Sequence, residues 1–210
     1  GIVRRDPAST GRYQYSVLVT DVLTNNVIWN RSMLVDATQL SDANRIDTLS
    51  VDITAVLGSA RGPLHARTRQ MLMQGAPIGG ESPYVCRIMF SIYRETMTAV
   101  AADRAQACYA ALPEQDRENG IALAAVASLV AEAPGSRDVS PAARLSRYRE
   151  AGEMLVKAVQ ALPTSSFVWE QRARLYEAMS EHALAEAAYG TALQTNPANL
   201  DAVKTGKLPK

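Results

Sequence analysis

The first part of the chain alternates between apolar and polar residues in the manner of β-strands. Over residues 13–22, neighbouring side chains are expected on opposite faces of a strand. One face carries Tyr13, Tyr15, Val17 and Val19. Asn25 and Asn26 then supply turn chemistry, because asparagine tolerates the left-handed backbone conformation of a tight turn. Residues 27–33 return as a second strand and residues 2–5 end an earlier one, so the pattern predicts a meander of three antiparallel strands.

An amphipathic helix is predicted after the strands, over residues 41–57, with Ser41 or Asp42 as its cap and Gly58 at its end. Its apolar stripe consists of Ile46, Leu49, Ile53, Val56 and Leu57. A sheet with a single helix has a small core, and we assign residues 1–64 to this β/α domain. Glycine and proline punctuate the chain beyond it, so residues 65–82 are predicted as a linker.

The pattern is helical from residue 83 onward. Helices are predicted over residues 83–95, 98–112 and 119–133, and in a final pair within residues 166–197 that turns near residues 179–181. Four positions recur at a spacing of 34 residues: Ala151, Leu155, Ala158 and Pro163 correspond to Ala185, Tyr189, Ala192 and Pro197. The predicted fold class is therefore α+β, with a small antiparallel sheet and one helix followed by an all-α array of about three helix pairs over residues 83–210.

The last helix pair resembles a tetratricopeptide repeat. The matching positions are Trp169, Tyr176, Ala185, Tyr189, Ala192 and Pro197, with Ser166 at the first position. Small residues at these positions let two helices approach closely, and the proline stops the second helix. Arg172 departs from the pattern, since the family usually has leucine there. The resemblance implies a stack of about three such repeats, in which each pair buries its apolar face against its neighbours.

The strand-rich part resembles the back half of a TolB amino-terminal-like domain. The resemblance covers residues 1–57 and rests on Val3-Arg4-Arg5, on the strand at residues 13–21 and on the segment at residues 26–29. The first βαβ portion of that domain is absent. Together with the repeats, it implies a similarity to the sensor regions of CadC-type membrane-anchored transcriptional regulators in bacteria.

Composition and charge exclude few kinds of partner. The net charge of the 210 residues is +1, which gives no attraction to nucleic acid or to an anionic membrane. No apolar run approaches the ~20 residues that cross a bilayer, so we expect membrane attachment only through an upstream segment absent from this sequence. A protein or peptide partner is expected, and a small-molecule ligand and an oligomeric state are left open.

No residue pattern indicates an enzyme. His65 and His182 lie in different predicted domains, without cysteine or carboxylate at metal-ligand spacing. No phosphate-binding glycine loop and no nucleophile motif are present. We expect no catalytic residue, no metal site and no cofactor.

Cys86 and Cys108 are the only two cysteines. Cys86 lies one turn into its predicted helix and Cys108 one turn before the end of the partner helix, so their levels coincide in an antiparallel pair. Two interpretations stay open here, a disulfide and a pair of small buried thiols. A disulfide would require an oxidising compartment. The family resemblance makes that compartment the periplasm, and a cytoplasmic location is the alternative.

Gln171, Arg172 and Arg174 are the candidate ligand-binding residues, because first helices of such repeats line a concave groove. The predicted function is non-enzymatic sensing and protein interaction within a bacterial signalling or transcriptional regulator. A partner would bind in the groove or at the domain junction. The alternative is a stand-alone repeat adaptor in envelope assembly or secretion.

Overall fold

The structure, a computed structural model, describes residues 2–8, 11–22, 24–36, 43–75, 80–134, 139–197 and 199. The chain divides into two compact units, Gly1–Ala66 and Arg67–Lys210. We refer to them as the sheet unit and the helical unit, and each is described by itself. The predicted α+β class is confirmed, since a small antiparallel sheet precedes a series of helices.

The sheet unit contains strands β1 (Ile2–Arg5), β2 (Arg12–Thr20) and β3 (Val27–Asp36). They pair antiparallel in the order β1-β2-β3, as the predicted meander requires. Strand β3 runs three residues beyond its predicted end because its pairing with β2 continues to Asp36, opposite Arg12. At the turn before β3, Asn25 has a φ of 55° and donates its N–H to the Asp21 carbonyl at 2.7 Å. Its left-handed conformation is the one that asparagine tolerates.

The predicted alternation of side chains on β2 agrees with their burial. Tyr13, Tyr15, Val17 and Val19 share one face and are all half-buried. On the neighbouring strand, Val35 is the only apolar side chain of the described part of this unit that is buried. The sheet therefore contributes little core of its own.

Helix α1 spans Ala43–Gly58, and the proposed caps Ser41 and Asp42 lie outside the described residues. A 3₁₀ turn at Pro63–His65 leads into helix α2, Ala66–Met73. Helix α2 lies within the segment predicted as a linker, yet it packs in the helical unit. Leu72 is buried there, and the Arg69 guanidinium donates to Ser91 Oγ at 2.8 Å and to Glu95 Oε2 at 2.6 Å.

The helical unit continues with seven further helices in its described part. They are α3 (Pro83–Thr96), α4 (Ala99–Ala111), α5 (Glu114–Arg117), α6 (Gly120–Glu132), α7 (Pro141–Ala161), α8 (Ser166–Ala178) and α9 (His182–Thr195). A side-chain oxygen accepts from a backbone N–H at five of the helix starts, namely Ser82, Thr98, Asn119, Ser140 and Ser165. Such N-caps satisfy donors that have no partner within the helix.

Three pairs of these helices are antiparallel. Cys86 near the start of α3 meets Cys108 near the end of α4. A Cβ atom at Gly120, the first residue of α6, would lie 3.0 Å from the Leu162 side chain just after α7. In the third pair, the Tyr189 hydroxyl of α9 donates to Glu177 Oε2 of α8 at 2.7 Å.

Small buried residues form the contacts between the helices of a pair. One cluster joins α6, α7 and α8 through Ala124, Ala127, Ala131, Ala151, Leu155, Ala158, Val168 and Leu175. A second joins α8 and α9 through Ala173, Ala185, Ala188, Tyr189 and Ala192. Alanine brings helix axes close together, and the resulting dense packing makes these contacts sensitive to any added volume.

Candidate binding surface

A row of charged side chains connects α3 to α6. Arg94 Nη1 donates to Glu132 Oε2 at 2.5 Å and to Ser128 Oγ at 3.4 Å. The side chain of Arg94 is only 11% exposed and that of Glu132 only 17%. The pair is thus largely removed from water, where its Coulomb attraction is stronger and the loss of either partner costs more than at a surface.

The row continues onto α8. Arg174 Nε donates to Glu170 Oε1 at 3.1 Å, and Asn199 Nδ2 donates to Glu170 Oε2 at 3.1 Å. Asn199 also donates to Ser166 Oγ at 2.8 Å, which fixes the chain after α9 against the start of α8. We call this row the polar seam and define it by Arg94, Ser128, Glu132, Glu170, Arg174 and Asn199.

The charges of the seam act on one another across the helices. Burial by itself would lower the pKa of Arg174, but Glu170, Tyr189 and Glu132 together outweigh it and hold that pKa above its usual value. Burial raises the pKa of the Tyr93 hydroxyl, with Arg94 opposing the rise and Glu132 adding to it. Tyr93, Arg94, Glu132 and Arg174 therefore belong to one electrostatic group.

Two polar groups of this set, the Tyr93 hydroxyl and Arg94 Nε, are fully buried and make no hydrogen bond of regular geometry among the described residues. Arg94 nevertheless acts on the Tyr93 hydroxyl through a side-chain hydrogen bond, which opposes the rise of its pKa. The Tyr109 hydroxyl on α4 is likewise fully buried without a hydrogen bond of regular geometry among the described residues. Burial raises the pKa of Tyr109 strongly, while the charge of Arg87 acts against the rise. Buried polar atoms without a partner are rare in folded proteins because they lose the hydrogen bonds that water offered them.

Aromatic contacts lie beside the seam. The Phe90 ring of α3 meets the Phe167 ring of α8 edge to face, with centroids 5.8 Å apart. The Arg87 guanidinium lies over the same Phe167 ring, 3.3 Å from its centroid. Helix α3 therefore contacts α8 directly, although α6 lies between them in the sequence.

The three predicted groove residues do not share a surface. Only Arg174 lies in the polar seam. Gln171 is 1% exposed, and its Oε1 has no hydrogen-bond partner among the described residues, so it offers nothing to a ligand. It lies three residues after Val168 and four before Leu175, both buried, and so faces the core as they do.

Arg172 takes a third direction on α8. Its guanidinium lies over the Trp169 and Tyr176 rings, 5.3 and 5.6 Å from their centroids, and its Nε donates to the Tyr176 hydroxyl at 3.0 Å. The arginine that replaces the expected leucine is thus held by cation–π contacts with the aromatic residues three before and four after it.

The predicted repeat positions pack largely as small-residue and aromatic contacts. Ala185, Tyr189 and Ala192 are buried in the cluster between α8 and α9, and Trp169 and Tyr176 are half-buried against it. Trp169 Nε1 donates to the Pro163 carbonyl at 2.7 Å. Pro197 is exposed and follows the end of α9 by two residues.

The two cysteines form a disulfide in the structure. The Sγ atoms of Cys86 and Cys108 are 2.08 Å apart, and both residues are buried between α3 and α4. Of the two interpretations that the sequence left open, the structure contains the bridge.

Sequence reasoning missed Tyr93, Arg94, Glu132 and Glu170. Arg94 interrupts the apolar stretch of α3, and Glu132 ends the nearly uncharged helix α6. For Arg94 and Glu132, the signal was an ionisable residue inside a mostly apolar helix, because burial of such a residue requires a partner. Glu170 lies on the charged helix α8 and gives no such signal.

No grouping of metal-ligating side chains occurs in the part of the chain that the structure describes. Within those same residues, no helix combines the length and hydropathy needed to span a bilayer. Comparison of the chain with protein-family models, with curated protein sequences and with solved structures finds no match.

Proposed function

We propose that this chain is the non-enzymatic sensing and protein-interaction region of a bacterial signalling or transcriptional regulator. The helical unit acts as a tetratricopeptide-repeat array, and the sheet unit is related to TolB amino-terminal-like domains. A partner protein or peptide binds along the polar seam of α3, α6 and α8. The seam is the observation that carries the proposal.

The repeat assignment has its support in the matched positions of the second and third helix pairs. Ala151 and Ala158 correspond to Ala185 and Ala192 at a spacing of 34 residues, and all four are buried between helices. The aromatic residues Trp169, Tyr176 and Tyr189 lie at the same interfaces. This is the packing by which helix pairs of that family stack.

The seam suits peptide recognition because of where its charges lie. It supplies two arginines and two glutamates from three successive first helices, and all four are mostly buried. Desolvated charged groups give specificity, because a partner with the wrong charge leaves them without compensation.

The disulfide between Cys86 and Cys108 supports a periplasmic location, since such bridges persist in oxidising compartments. The same bridge suits a stand-alone adaptor in envelope assembly or secretion, which is the second candidate function. A full-length protein with a DNA-binding or cyclase domain and a membrane span would favour the regulator over the adaptor.

Site-directed photo-crosslinking tests the binding surface. A photoreactive residue at Ala178, one helical turn beyond Arg174, is compared with one at Val156 on α7, which is 48% exposed. We expect a protein adduct from bacterial periplasm at residue 178 and none at residue 156. Equal labelling at the two positions, or none at residue 178, would contradict binding along the seam.

A further inference from the structure

The start of helix α6 favours glycine over every larger residue. Gly120 is the first residue of α6 and is buried against the end of α7. A Cβ atom at this position would lie 3.0 Å from Leu162 Cδ1 and 3.1 Å from the Ala158 carbonyl oxygen. Dense packing leaves little room to relieve contacts of that kind. The glycine is therefore a consequence of how closely the two helices approach.

The residue before Gly120 caps the same helix. Asn119 has a φ of −62° and a ψ of 137°, and its Oδ1 accepts from the Ile121 N–H at 2.8 Å. This bond satisfies a donor that has no partner within the helix, and asparagine is among the preferred residues for the role. Capping and packing together thus place an asparagine directly before a glycine. No other asparagine of the chain is followed by glycine.

Asparagine is a chemically labile residue, and a following glycine makes its amide easiest to lose. The nitrogen of Gly120 attacks Cγ of Asn119, since no Cβ at residue 120 obstructs the approach. The Cγ–Nδ2 bond breaks, and Nδ2 leaves as ammonia with the proton that the Gly120 nitrogen gives up. Water then opens the resulting succinimide ring. One opening yields aspartate, and the other yields isoaspartate, whose main chain runs through the side-chain carbon.

We propose that Asn119 is a deamidation site whose reaction requires the start of α6 to open. Ring closure brings the Gly120 nitrogen into line with Cβ of Asn119, far from the ψ of 137° that the cap holds. The rotation breaks the bond to Ile121 and displaces a glycine that is packed against α7. Asn119 itself is exposed, so water reaches it in the opened chain. This inference is independent of the proposed function.

The two products differ in their effect on the fold. Aspartate caps a helix about as well as asparagine, and its charge suits the positive end of the helix dipole. Isoaspartate instead adds a methylene to the main chain directly before Gly120, where the contact with α7 leaves little room. The reaction therefore converts a transient opening of the second helix pair into a lasting loss of its packing.

Peptide mapping by mass spectrometry follows the reaction in the whole chain. Deamidation of Asn119 is timed at mildly alkaline pH in buffer and in concentrated urea, which gives the rate of the open chain. A reaction that proceeds only from an open state is slowed by the small population of that state. We expect the rate in buffer to be lower by at least about a hundredfold, or about 2.8 kcal/mol at about 1.4 kcal/mol for each factor of ten.

Leu162→Ala tests whether the contact at Gly120 limits the opening. It removes the side chain nearest to that glycine, so the rate in buffer should rise several-fold while the rate in urea stays the same. Val156→Ala on the same helix is the matched control, because Val156 is 48% exposed and both rates should be unchanged. Asn119→Asp should melt at nearly the wild-type temperature, since it keeps the cap.

Three results would overturn the proposal. An Asn119 that keeps its amide in urea would not be a labile site. Equal rates in buffer and in urea would show that the folded helix start gives no protection. An unchanged rate for Leu162→Ala in buffer would show that the packing of α6 against α7 does not control the reaction.

Discussion

Two tyrosine hydroxyls in the first helix pair are fully buried, those of Tyr93 on α3 and Tyr109 on α4. Burial makes their ionised forms unfavourable and raises the pKa of both. Their protons are consequently held more tightly in the folded chain than in the unfolded one. This difference links the stability of the protein to alkaline pH.

We expect the free energy of unfolding to fall as pH rises above about 10, the usual tyrosine pKa. Below that pH both states keep the phenol protons and the contribution is constant. Above it the unfolded chain loses them first, which costs up to about 1.4 kcal/mol per pH unit for each tyrosine. Urea unfolding at several pH values, with Tyr93→Phe/Tyr109→Phe as the control, measures the effect. An equally steep fall in the double variant would assign it to other groups.

The side-chain directions on α8 show which features of individual residues can be predicted from the sequence. Gln171, Arg172 and Arg174 were grouped because they share a helix, yet they take three directions. The buried neighbours Val168 and Leu175 fix the direction of Gln171, so the inward position was predictable from the helical period. The pairing of Arg94 with Glu132 was not predictable, because the two residues lie 38 positions apart in the sequence.

At the scale of elements, helix starts follow from local chemistry. Ser82 before Pro83 and Thr98 before α4 were recognisable caps, and the predicted helices begin within one residue of the observed ones. Helix α7 was predicted only through the recurring positions Ala151, Leu155 and Ala158 of its second half. Its cap is Ser140 and its first residue is Pro141. The proline at the first helical position is a start signal that the repeat pattern obscured.

The close contact between α6 and α7 predicts that added volume is costly there. Ala158→Leu should destabilise the chain by about 1–3 kcal/mol, because Ala158 is 0% exposed and lies among other buried alanines. Ala161→Leu on the same helix is exposed and should stay within about 0.5 kcal/mol of the wild type. Chemical denaturation compares the two, and equal stabilities would contradict the packing described for Ala158.

The disulfide between α3 and α4 predicts a measurable redox dependence. Thiol titration of the denatured, unreduced chain should detect no thiol, and two should appear after reduction. The bridge spans 22 residues, and closure of a loop of that size stabilises by about 3 kcal/mol in the chain-entropy model. A Cys86→Ala/Cys108→Ala variant should be indifferent to reductant. Two reactive thiols in the untreated protein would show that no bridge exists.

At the scale of the whole molecule, the two units differ in how much core they possess. In the described sheet unit, Val35 is the only buried apolar side chain, whereas the helical unit has two extended alanine-rich clusters. Small domains bury a lower share of their surface on folding, and their stability is correspondingly marginal. The small core of the sheet unit was predictable from the sequence, because one amphipathic helix and three short strands can bury little apolar surface.

We expect the fragment Arg67–Lys210 to fold alone and the fragment Gly1–Ala66 to remain largely unfolded. The reason is that burial of apolar surface is the main favourable term in folding, and the sheet unit buries little of it. Circular dichroism and thermal melting of both fragments, beside the whole chain, measure the outcome. A cooperative melting transition in fragment Gly1–Ala66 would contradict the expectation.

The contact between Phe90 and Phe167 has a consequence for how the helical unit comes apart. Where each helix pair touches only its neighbours, the ends of a stack can peel away one pair at a time. Here the first helix pair holds the third through these two rings and through Arg87. Unfolding of either end pair breaks a contact with the pair at the opposite end. These few side chains, which join the first pair to the third, therefore make unfolding of the helical unit more cooperative.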